Sequence, residues 1–528
     1  MIASSLPKGF VPYEWSPTSA DLARRLGLDP AQVLRFDTNV PPLPGVPRVP
    51  LGESFSRLNE YPTGGYSDLR AAAAGYVGVE ANQIVVGAGS DSLIHLVART
   101  YLSDGALAAV VDPPTYSLYE IVSLVSGSTV MSCTLSDAPD ASVIWLCNPH
   151  SPTGKIYLCD KIVTLAACHP DALIVVDEAY VEYGGETLVP HLGDVPNCVV
   201  LRTLSKAFGL AALRVGYAIC APEVAACLLD RAEPAPVSGP SASVAAAALR
   251  SPQLDVAETI QERERIRAAL LREGHDCPAS AGNYLFLRGD TGELADQLES
   301  KGLILRRYLG GLRLTVRLPA ENDVLLAALG VTTVPSARRS GYVVRTTQET
   351  CVRVSISLEG QGRARVDTKI DSLGHLLELL AFQARFDLEV IAGGDLEVDE
   401  HHLVEDVLAC LGEALSQALG DRTNIARFGS SQVPLDEARA CAAVDLGTRP
   451  HAEVDLAFSG DRIGALSTSL IVHALERFAM QGRFTIHVTA TGRDDHHVAE
   501  VAFKALGRAL RAACARDTKG LSSTKGAA

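Results

Sequence analysis

The sequence is poor in aromatic residues, which make up 5% of it, with only two tryptophans and three methionines among 528 residues. Alanine, leucine and valine supply the 47% of hydrophobic residues, a globular profile that excludes a disordered chain. No apolar run reaches the roughly 20 residues that a membrane-spanning helix needs, and the opening Met-Ile-Ala-Ser-Ser-Leu-Pro-Lys carries no secretory apolar region. Twelve cysteines stand without any Cys-x-x-Cys pair or regular spacing, several within apolar runs such as Val143–Cys147. They are expected to be reduced core residues of a cytoplasmic protein. Positive charge is also short, and the formal net charge of −15 argues against a general nucleic-acid binder. The length exceeds what one ordinary core holds, so two or three domains are expected.

What is present centres first on Thr203-Leu-Ser-Lys-Ala-Phe-Gly-Leu-Ala-Ala-Leu-Arg-Val-Gly-Tyr217, where Lys206 lies among small hydroxyl residues with Arg214 nearby. A lysine amine can form a Schiff base with a carbonyl cofactor, while Ser205 and Arg214 offer groups for a phosphate. Taken alone, the same stretch is equally a surface lysine in a Gly/Ala loop. Its neighbours decide. Gln83-Ile-Val-Val runs into Gly87-Ala-Gly-Ser-Asp91 and then a helical pattern, a strand, turn and helix N-terminus that can hold a phosphate. A helix over Ser67–Tyr76 takes Ser67 as its N-cap. Short apolar runs at 108–112, 143–147, 172–177 and 198–202 alternate with helical segments and predict an α/β fold with a mostly parallel sheet. Ligands bind at the carboxyl ends of such strands. There the sequence places Tyr116, Asn148, Asp177 and Tyr180, and then Ser205-Lys206. An Asp carboxylate suits a protonated pyridine nitrogen, Asn and Tyr suit a phenolate oxygen, and a Tyr ring can stack on the face.

With Tyr61-Pro, Asn148-Pro-His-Ser-Pro-Thr-Gly, Val176-Asp-Glu-Ala-Tyr and Thr203-Leu-Ser-Lys-Ala-Phe-Gly-Leu added, residues 10–330 resemble the fold-type I aminotransferases that use pyridoxal 5'-phosphate, and closely the histidinol-phosphate aminotransferases. The resemblance implies a large mostly parallel domain plus a small one over residues 255–330. It implies that Lys206 bonds the cofactor and moves the substrate proton, and that Asp177 pairs with the ring nitrogen. Asn148 and Tyr180 would meet the phenolate oxygen and Tyr116 would stack. Ser205, Arg214 and the backbone at Gly89 and Ser90 would hold the phosphate, with Tyr61 reaching in from a partner subunit. Arg313 matches the arginine for the substrate's anionic group, and Asn39 lies on the substrate side, where Asp37-Thr-Asn-Val-Pro-Pro departs from the family's Asn-Glu-Asn-Pro run. The Pro/Ser/Gly-containing stretch 333–341 is expected to link this first domain, 1–332, to the remainder.

The second half repeats itself. Residues 375–394 and 473–492 are identical at ten of twenty positions without a gap, and each block is followed by an HHxxE segment, at His401 and at His496. Two units, about 342–427 and 428–515, are expected, each with strands, a helix from the first histidine, a strand pair and a second helix from HHxxE. Six histidines fall at matched positions. On a helix a histidine and the glutamate three or four residues on share a face, while adjacent histidines diverge by about 100° and could serve two metals. Imidazole plus carboxylate suits Mn, Fe, Ni or Zn.

This half resembles imidazoleglycerol-phosphate dehydratase over about 342–528. The carrying motifs are Asp399-Glu-His-His-Leu-Val-Glu-Asp, Asp495-His-His-Val-Ala-Glu, Ala426-Arg-Phe-Gly, Val433-Pro-Leu-Asp-Glu, Arg449-Pro and Ser522-Ser-Thr-Lys-Gly526. The resemblance implies an α+β duplicated domain in which His375, His401, His402, Glu405, His473, His496, His497 and Glu500 bind two Mn(II) ions in sites completed across subunits. Arg427, Arg449, Lys504, Ser523 and Lys525 would hold a substrate phosphate. Glu349 would lie near the substrate, and Glu500 would carry a proton. Two departures stand out: Gly374 replaces the aspartate before His375, and Gln383 stands where the family has histidine.

Together the resemblances imply a bifunctional histidine-biosynthesis enzyme that dehydrates imidazoleglycerol phosphate to imidazoleacetol phosphate and transaminates that with glutamate to histidinol phosphate. They also imply a large homo-oligomer with small-molecule substrates and no nucleic-acid or membrane partner. The alternative is an aminotransferase for another, aromatic substrate carrying a non-catalytic metal-binding oligomerisation module.

Overall fold

The computed structural model describes residues 10–13, 16–44, 58–62, 64–252, 254, 256–333 and 336–517. Its large domain is a seven-stranded sheet of β1 (Ile84–Gly87), β2 (Leu107–Val111), β3 (Thr129–Cys133), β4 (Val143–Cys147), β5 (Leu173–Asp177), β6 (Cys198–Thr203) and β7 (Gly216–Cys220). The spatial order is β1-β7-β6-β5-β4-β2-β3, and every pair is parallel except those made by the inverted β7. The apolar runs are continuous because both faces are covered. Ile144 and Leu146 join one core and Val143, Trp145 and Cys147 the other. Helix α1 (Ser67–Val77) begins one residue earlier than a Ser67 cap allows: Tyr66, at φ 52°, is the N-cap, and no side chain caps the turn. Two further helices matter for the site, α2 (Gly89–Tyr101) and α3 (Leu118–Val125).

The small domain packs helices α4 (Val256–Arg272) and α5 (Pro319–Ala328) on an antiparallel sheet in the order β9-β10-β8. Its strands are β8 (Tyr284–Arg288), β9 (Arg306–Tyr308) and β10 (Gly311–Thr315). The last ends at Thr315, shortly before Pro319 opens α5.

The C-terminal half holds two four-stranded sheets of identical topology. The first is β11 (Ser340–Thr346), β12 (Thr350–Ser357), β13 (Ala364–Asp367) and β14 (Asp387–Gly394), in the order β11-β12-β14-β13. The second is β15 (Phe428–Leu435), β16 (Ala438–Asp445), β17 (His451–Leu456) and β18 (Thr485–Thr491), in the order β15-β16-β18-β17. Helices α6 (Asp371–Ala384), α7 (His401–Leu419), α8 (Thr468–Gly482) and α9 (Asp495–Cys514) join both sheets in one continuous core. Helix α6 packs on α9 and α7 on α8, so each helix pair is drawn from both repeats. The first strand starts at Ser340, inside the stretch expected to be linker. Between the two helices of each unit the expected strand pair is a single strand, β14 or β18, which runs unbroken along its sheet.

The two repeats differ in what lies outside them. In β16 buried and exposed residues alternate, the pattern of a sheet with one wet face. In β12 all eight residues are buried, because α5 and the turn Pro30–Gln32 cover its outer face. That joint is polar. Glu389 accepts from Arg353 at 3.1 Å and Arg365 at 3.1 Å and lies 3.5 Å from Arg317. Arg317 also donates to Glu321 at 2.8 Å, Ser355 donates to Glu321 at 3.0 Å, and Arg353 caps the carbonyls of Ala31 and Val33. Burial raises the Glu389 carboxyl, but the three arginines outweigh it and hold it below its ordinary range.

Eight of the twelve cysteines are buried, as expected of core residues, whereas Cys168 and Cys441 are exposed. No helix among the described residues is long and apolar enough to cross a membrane.

Removing Glu389 strands buried guanidinium charge at the joint. Glu389→Ala is expected to destabilise the protein by about 3 kcal/mol or more, read as a lower urea midpoint, with Cys441→Ala on the open sheet face as the near-neutral control.

Candidate active sites

The strand ends of the large domain converge on Lys206. Its half-buried amine lies 5.5 Å from the Tyr180 ring centre. Burial lowers this amine to about 8, helped by Arg313 and Arg214. Asp177 ends β5 fully inside, with Oδ2 accepting from the Tyr119 hydroxyl at 2.7 Å and Oδ1 from the Ala179 N–H at 3.1 Å. Burial raises its carboxyl to about 6, against the pull of the Tyr119 bond. Asn148 is pinned by Tyr157, giving one amide hydrogen to its carbonyl and accepting its N–H, which leaves a second amide hydrogen for a ligand. The Tyr180 hydroxyl accepts from Asn39 Nδ2 at 3.1 Å, so its own proton remains to be donated.

Gly89 and Ser90 open α2, whose first N–H groups have no helical partner. Gly89 takes φ 78°, and a Cβ there would lie 2.7 Å from the Arg214 guanidinium, so only glycine lets that arginine approach. Arg214 is held at 2.9 Å by Asp91, which also receives the Tyr116 hydroxyl at 2.8 Å. Ser205 Oγ is bonded by Thr203 Oγ1 at 3.0 Å. Tyr61 is 93% exposed. On the small-domain side Arg313 donates to Ser151 Oγ, the Tyr308 hydroxyl and the Asp37 carbonyl, while its buried Nε has no partner. Asn39, at φ 51°, is fixed by Thr315.

These residues fit pyridoxal 5'-phosphate. A helix N-terminus with an adjacent guanidinium suits its phosphate, Asp177 its pyridine nitrogen, and Tyr180 and Asn148 its ring oxygen. A partly neutral buried amine suits its aldehyde. Sequence reasoning missed Tyr119, three residues beyond Tyr116 on the first turns of α3. It also missed Arg306, which is in register with Arg313 across β9 and β10 and so shares its face. Arg306 is half-buried, and its side chain has no hydrogen-bond or ion-pair partner among the described residues.

The C-terminal half brings six of the eight expected metal ligands into two trios, each within 4.8 Å. His375 Nε2 lies 2.7 Å and His496 Nε2 3.2 Å from Glu500 Oε1, with the two rings stacked. His401 Nε2 lies 3.6 Å and His473 Nε2 3.7 Å from Glu405 Oε2. Each trio takes one histidine from one repeat and the HxxxE pair from the other, because α6 packs on α9 and α8 on α7. Two imidazoles and a carboxylate at this spacing fit a divalent cation. The other glutamate oxygens face cations, Lys504 at 2.5 Å from Glu500 and Arg477 at 2.9 Å from Glu405. Partial burial raises the Glu500 carboxyl, but Lys504 and His375 outweigh it and hold it at about 2.

His402 and His497, the other two expected ligands, lie outside both trios. They project away from the trios, His402 onto Asp395 at 3.2 Å with Glu349 3.7 Å away, and His497 onto Glu437 at 3.0 Å. The reason is the helical divergence of adjacent side chains. Arg427, expected at a substrate phosphate, is engaged by Asp445 at 2.6 Å, and Lys504 by Glu500. Arg449 is exposed, and Ser523 and Lys525 lie outside the described residues. Gly374 has room for a side chain, the nearest atom to a Cβ there being Val366 Cγ1 at 3.8 Å.

A fold-type I large domain carrying a half-buried lysine at its strand ends, joined to a duplicated α+β domain with two His-His-Glu trios, defines a two-enzyme chain. The family model for class I and II aminotransferases matches residues 32–329, and that for imidazoleglycerol-phosphate dehydratase matches 368–510. The imidazoleglycerol-phosphate dehydratase of Chloroflexus aggregans is 49% identical over 195 residues, covering 36% of this chain and 95% of that protein. The enzyme of Geobacillus kaustophilus is 42% identical over 191 residues, covering 36% and 98%. The chain thus belongs to the class I and II aminotransferases in its first half and to the imidazoleglycerol-phosphate dehydratases in its second. Among solved structures, the histidinol-phosphate aminotransferase of Sinorhizobium meliloti shares the first-half fold at TM-score 0.55 and 24% identity, covering 61% of this chain and 96% of that one. A putative histidinol-phosphate aminotransferase from Erwinia carotovora gives 0.53 and 22%, covering 56% and 95%.

A free amine attacks an aldehyde and an ammonium does not, so the uptake rate of pyridoxal 5'-phosphate by cofactor-free protein should rise with pH to half-maximum near pH 8. Arg313→Ala removes a charge that lowers this amine and should move the midpoint upward. Stopped-flow absorbance measures both, and a rate independent of pH from 6 to 10 would contradict the assignment of Lys206.

Proposed function

We propose that the chain catalyses two consecutive reactions, dehydration of imidazoleglycerol phosphate in its C-terminal half and transamination of the resulting imidazoleacetol phosphate with glutamate in its N-terminal half. The observation that carries the aminotransferase specificity is the arginine pair, Arg313 with an unpartnered buried Nε and Arg306 beside it. One guanidinium suffices for a carboxylate; two on one face suit a phosphate dianion. The other half forms an imidazole-bearing keto phosphate, so the two specificities meet in one compound.

When bound, pyridoxal 5'-phosphate supplies an electron sink for the bonds of the substrate carbon that carries nitrogen. Lys206 bonds it and then carries a proton to and from that carbon, which an amine held near 8 can do at neutral pH. Asp177 keeps the ring nitrogen protonated, Tyr180 and Asn148 orient the ring oxygen, and Arg214 with Gly89 and Ser90 anchors the phosphate. Ser205 Oγ accepts from Thr203 and keeps its own proton to donate to the same phosphate.

In the dehydratase half the two trios hold one divalent cation each, read here as Mn(II). When bound, these ions supply Lewis acidity to an imidazole nitrogen, which eases departure of the side-chain hydroxyl. Glu500 and Glu349 handle protons, and Arg449 meets the substrate phosphate together with Lys504, Ser523 and Lys525. Arg427 orients that site through Asp445. His402 and His497, turned away from the trios of their own chain, complete those of neighbouring copies. The assembly is therefore a homo-oligomer working on small molecules in the cytoplasm, with Tyr61 reaching a neighbour's cofactor.

Steady-state assays should give kcat/KM for imidazoleacetol phosphate far above that for phenylpyruvate, and the reverse order would sink the specificity. Arg306→Ala should lower kcat/KM for the phosphorylated substrate by about 10- to 100-fold, the loss of one or two charge-assisted bonds. Lys206→Ala should remove transamination and leave dehydration within about twofold of normal. A chelator should do the converse, and loss of both activities on chelation would contradict two independent sites.

A further inference from the structure

Tyr119 is set apart from the other aromatic residues by what it touches. Its hydroxyl donates to Asp177 Oδ2 at 2.7 Å. Its ring stacks on Trp145 at 5.4 Å and 7°, and meets the edge of the Tyr116 ring at 5.7 Å and 86°. Trp145 is itself tied down, its Nε1 donating to Ser123 Oγ at 3.1 Å, which in turn donates to the Tyr119 carbonyl at 2.7 Å. All four residues, Tyr119, Ser123, Trp145 and Asp177, are buried. The result is a closed frame: α3 supplies Tyr119 and Ser123, β4 supplies Trp145, and β5 supplies the carboxylate.

We propose that Tyr119 is a positioning residue for the cofactor, holding the Asp177 carboxylate ionised toward the pyridine nitrogen while its ring, perpendicular to that of Tyr116, fixes that stacking ring. The chemistry favours this over simple core filling. A core aromatic needs no hydroxyl, and a buried phenol is kept only where it finds a partner. Here the partner is a carboxylate whose burial works against ionisation, and a donated hydrogen bond favours the charged form. The opposite oxygen already receives the Ala179 N–H, so loss of the phenol leaves one side of the carboxylate without a donor and free to turn. Among the described residues no other side chain bonds to Asp177.

The inference rests on Asp177 serving pyridoxal 5'-phosphate; failure of that reading shows separately, as no cofactor bound by the unaltered protein. Tyr119→Phe keeps the ring stack and deletes only the hydroxyl. It should weaken pyridoxal 5'-phosphate about tenfold in an equilibrium titration, and shift the pH midpoint of the bound cofactor's visible absorbance, with dehydratase activity unchanged as the control for folding. In an Asp177→Asn background the same change should add little, because its route is through the carboxylate. Affinity and absorbance midpoint both unchanged in Tyr119→Phe would overturn the proposal. So would losses that simply add in the double variant, since they would make Tyr119 a packing residue. Ser123→Ala, which loosens the frame without touching Asp177, should give a smaller loss in the same direction; a larger one would also count against it.

Discussion

One buried carboxylate, Glu389, determines how the two halves of this chain sit together. Three arginines converge on it, two of them buried, and one of these, Arg317, lies two residues beyond the strand that carries Arg313. An ion cluster of this kind contributes less to net stability than to uniqueness: apolar surfaces slide, whereas charges out of water must meet their partners. The dehydratase sheet that carries Glu389 is therefore tied to the small domain of the aminotransferase. Tyr342, from the first dehydratase strand, packs against the small domain's core as well.

Duplication in the second half has a structural purpose that a single unit could not serve. Within one repeat, the histidine of the first helix and the HxxxE of the second do not meet. They meet across repeats, because the helices pair crosswise under the two sheets. The duplicated core also explains why one sheet can take on a new neighbour. The outer face of the first sheet has become the joint, while the outer face of the second keeps the alternation of an exposed surface.

Around Lys206 the same economy appears in hydrogen bonds. Asn148, Asp177, Tyr180 and Arg313 each have part of their bonding capacity taken by the protein and part left over. The used part fixes direction, and the unused part is what a cofactor or substrate can meet. Asn39 shows the cost: its backbone takes a left-handed φ so that its amide can face Tyr180 while Thr315 grips its other end.

Much of this was legible in the residues. Strand runs ending in Asn148, Asp177 and Ser205-Lys206 declared a sheet with its site at one edge, since in a parallel sheet chain direction alone places those ends together. The repeat declared two equivalent helix pairs. What remained hidden was everything that depends on which surfaces touch. Tyr119 reads as one more apolar position until β5 is seen beside α3. Arg306 gains meaning only from its register with Arg313, and His402 and His497 part from their neighbours only when the helices are oriented. That Asp445 stands beside Arg427 is likewise invisible until the strands are placed. Sequence carries local pattern and chain direction; pairing across the fold, and hence which charges are spoken for, is decided by packing in three dimensions.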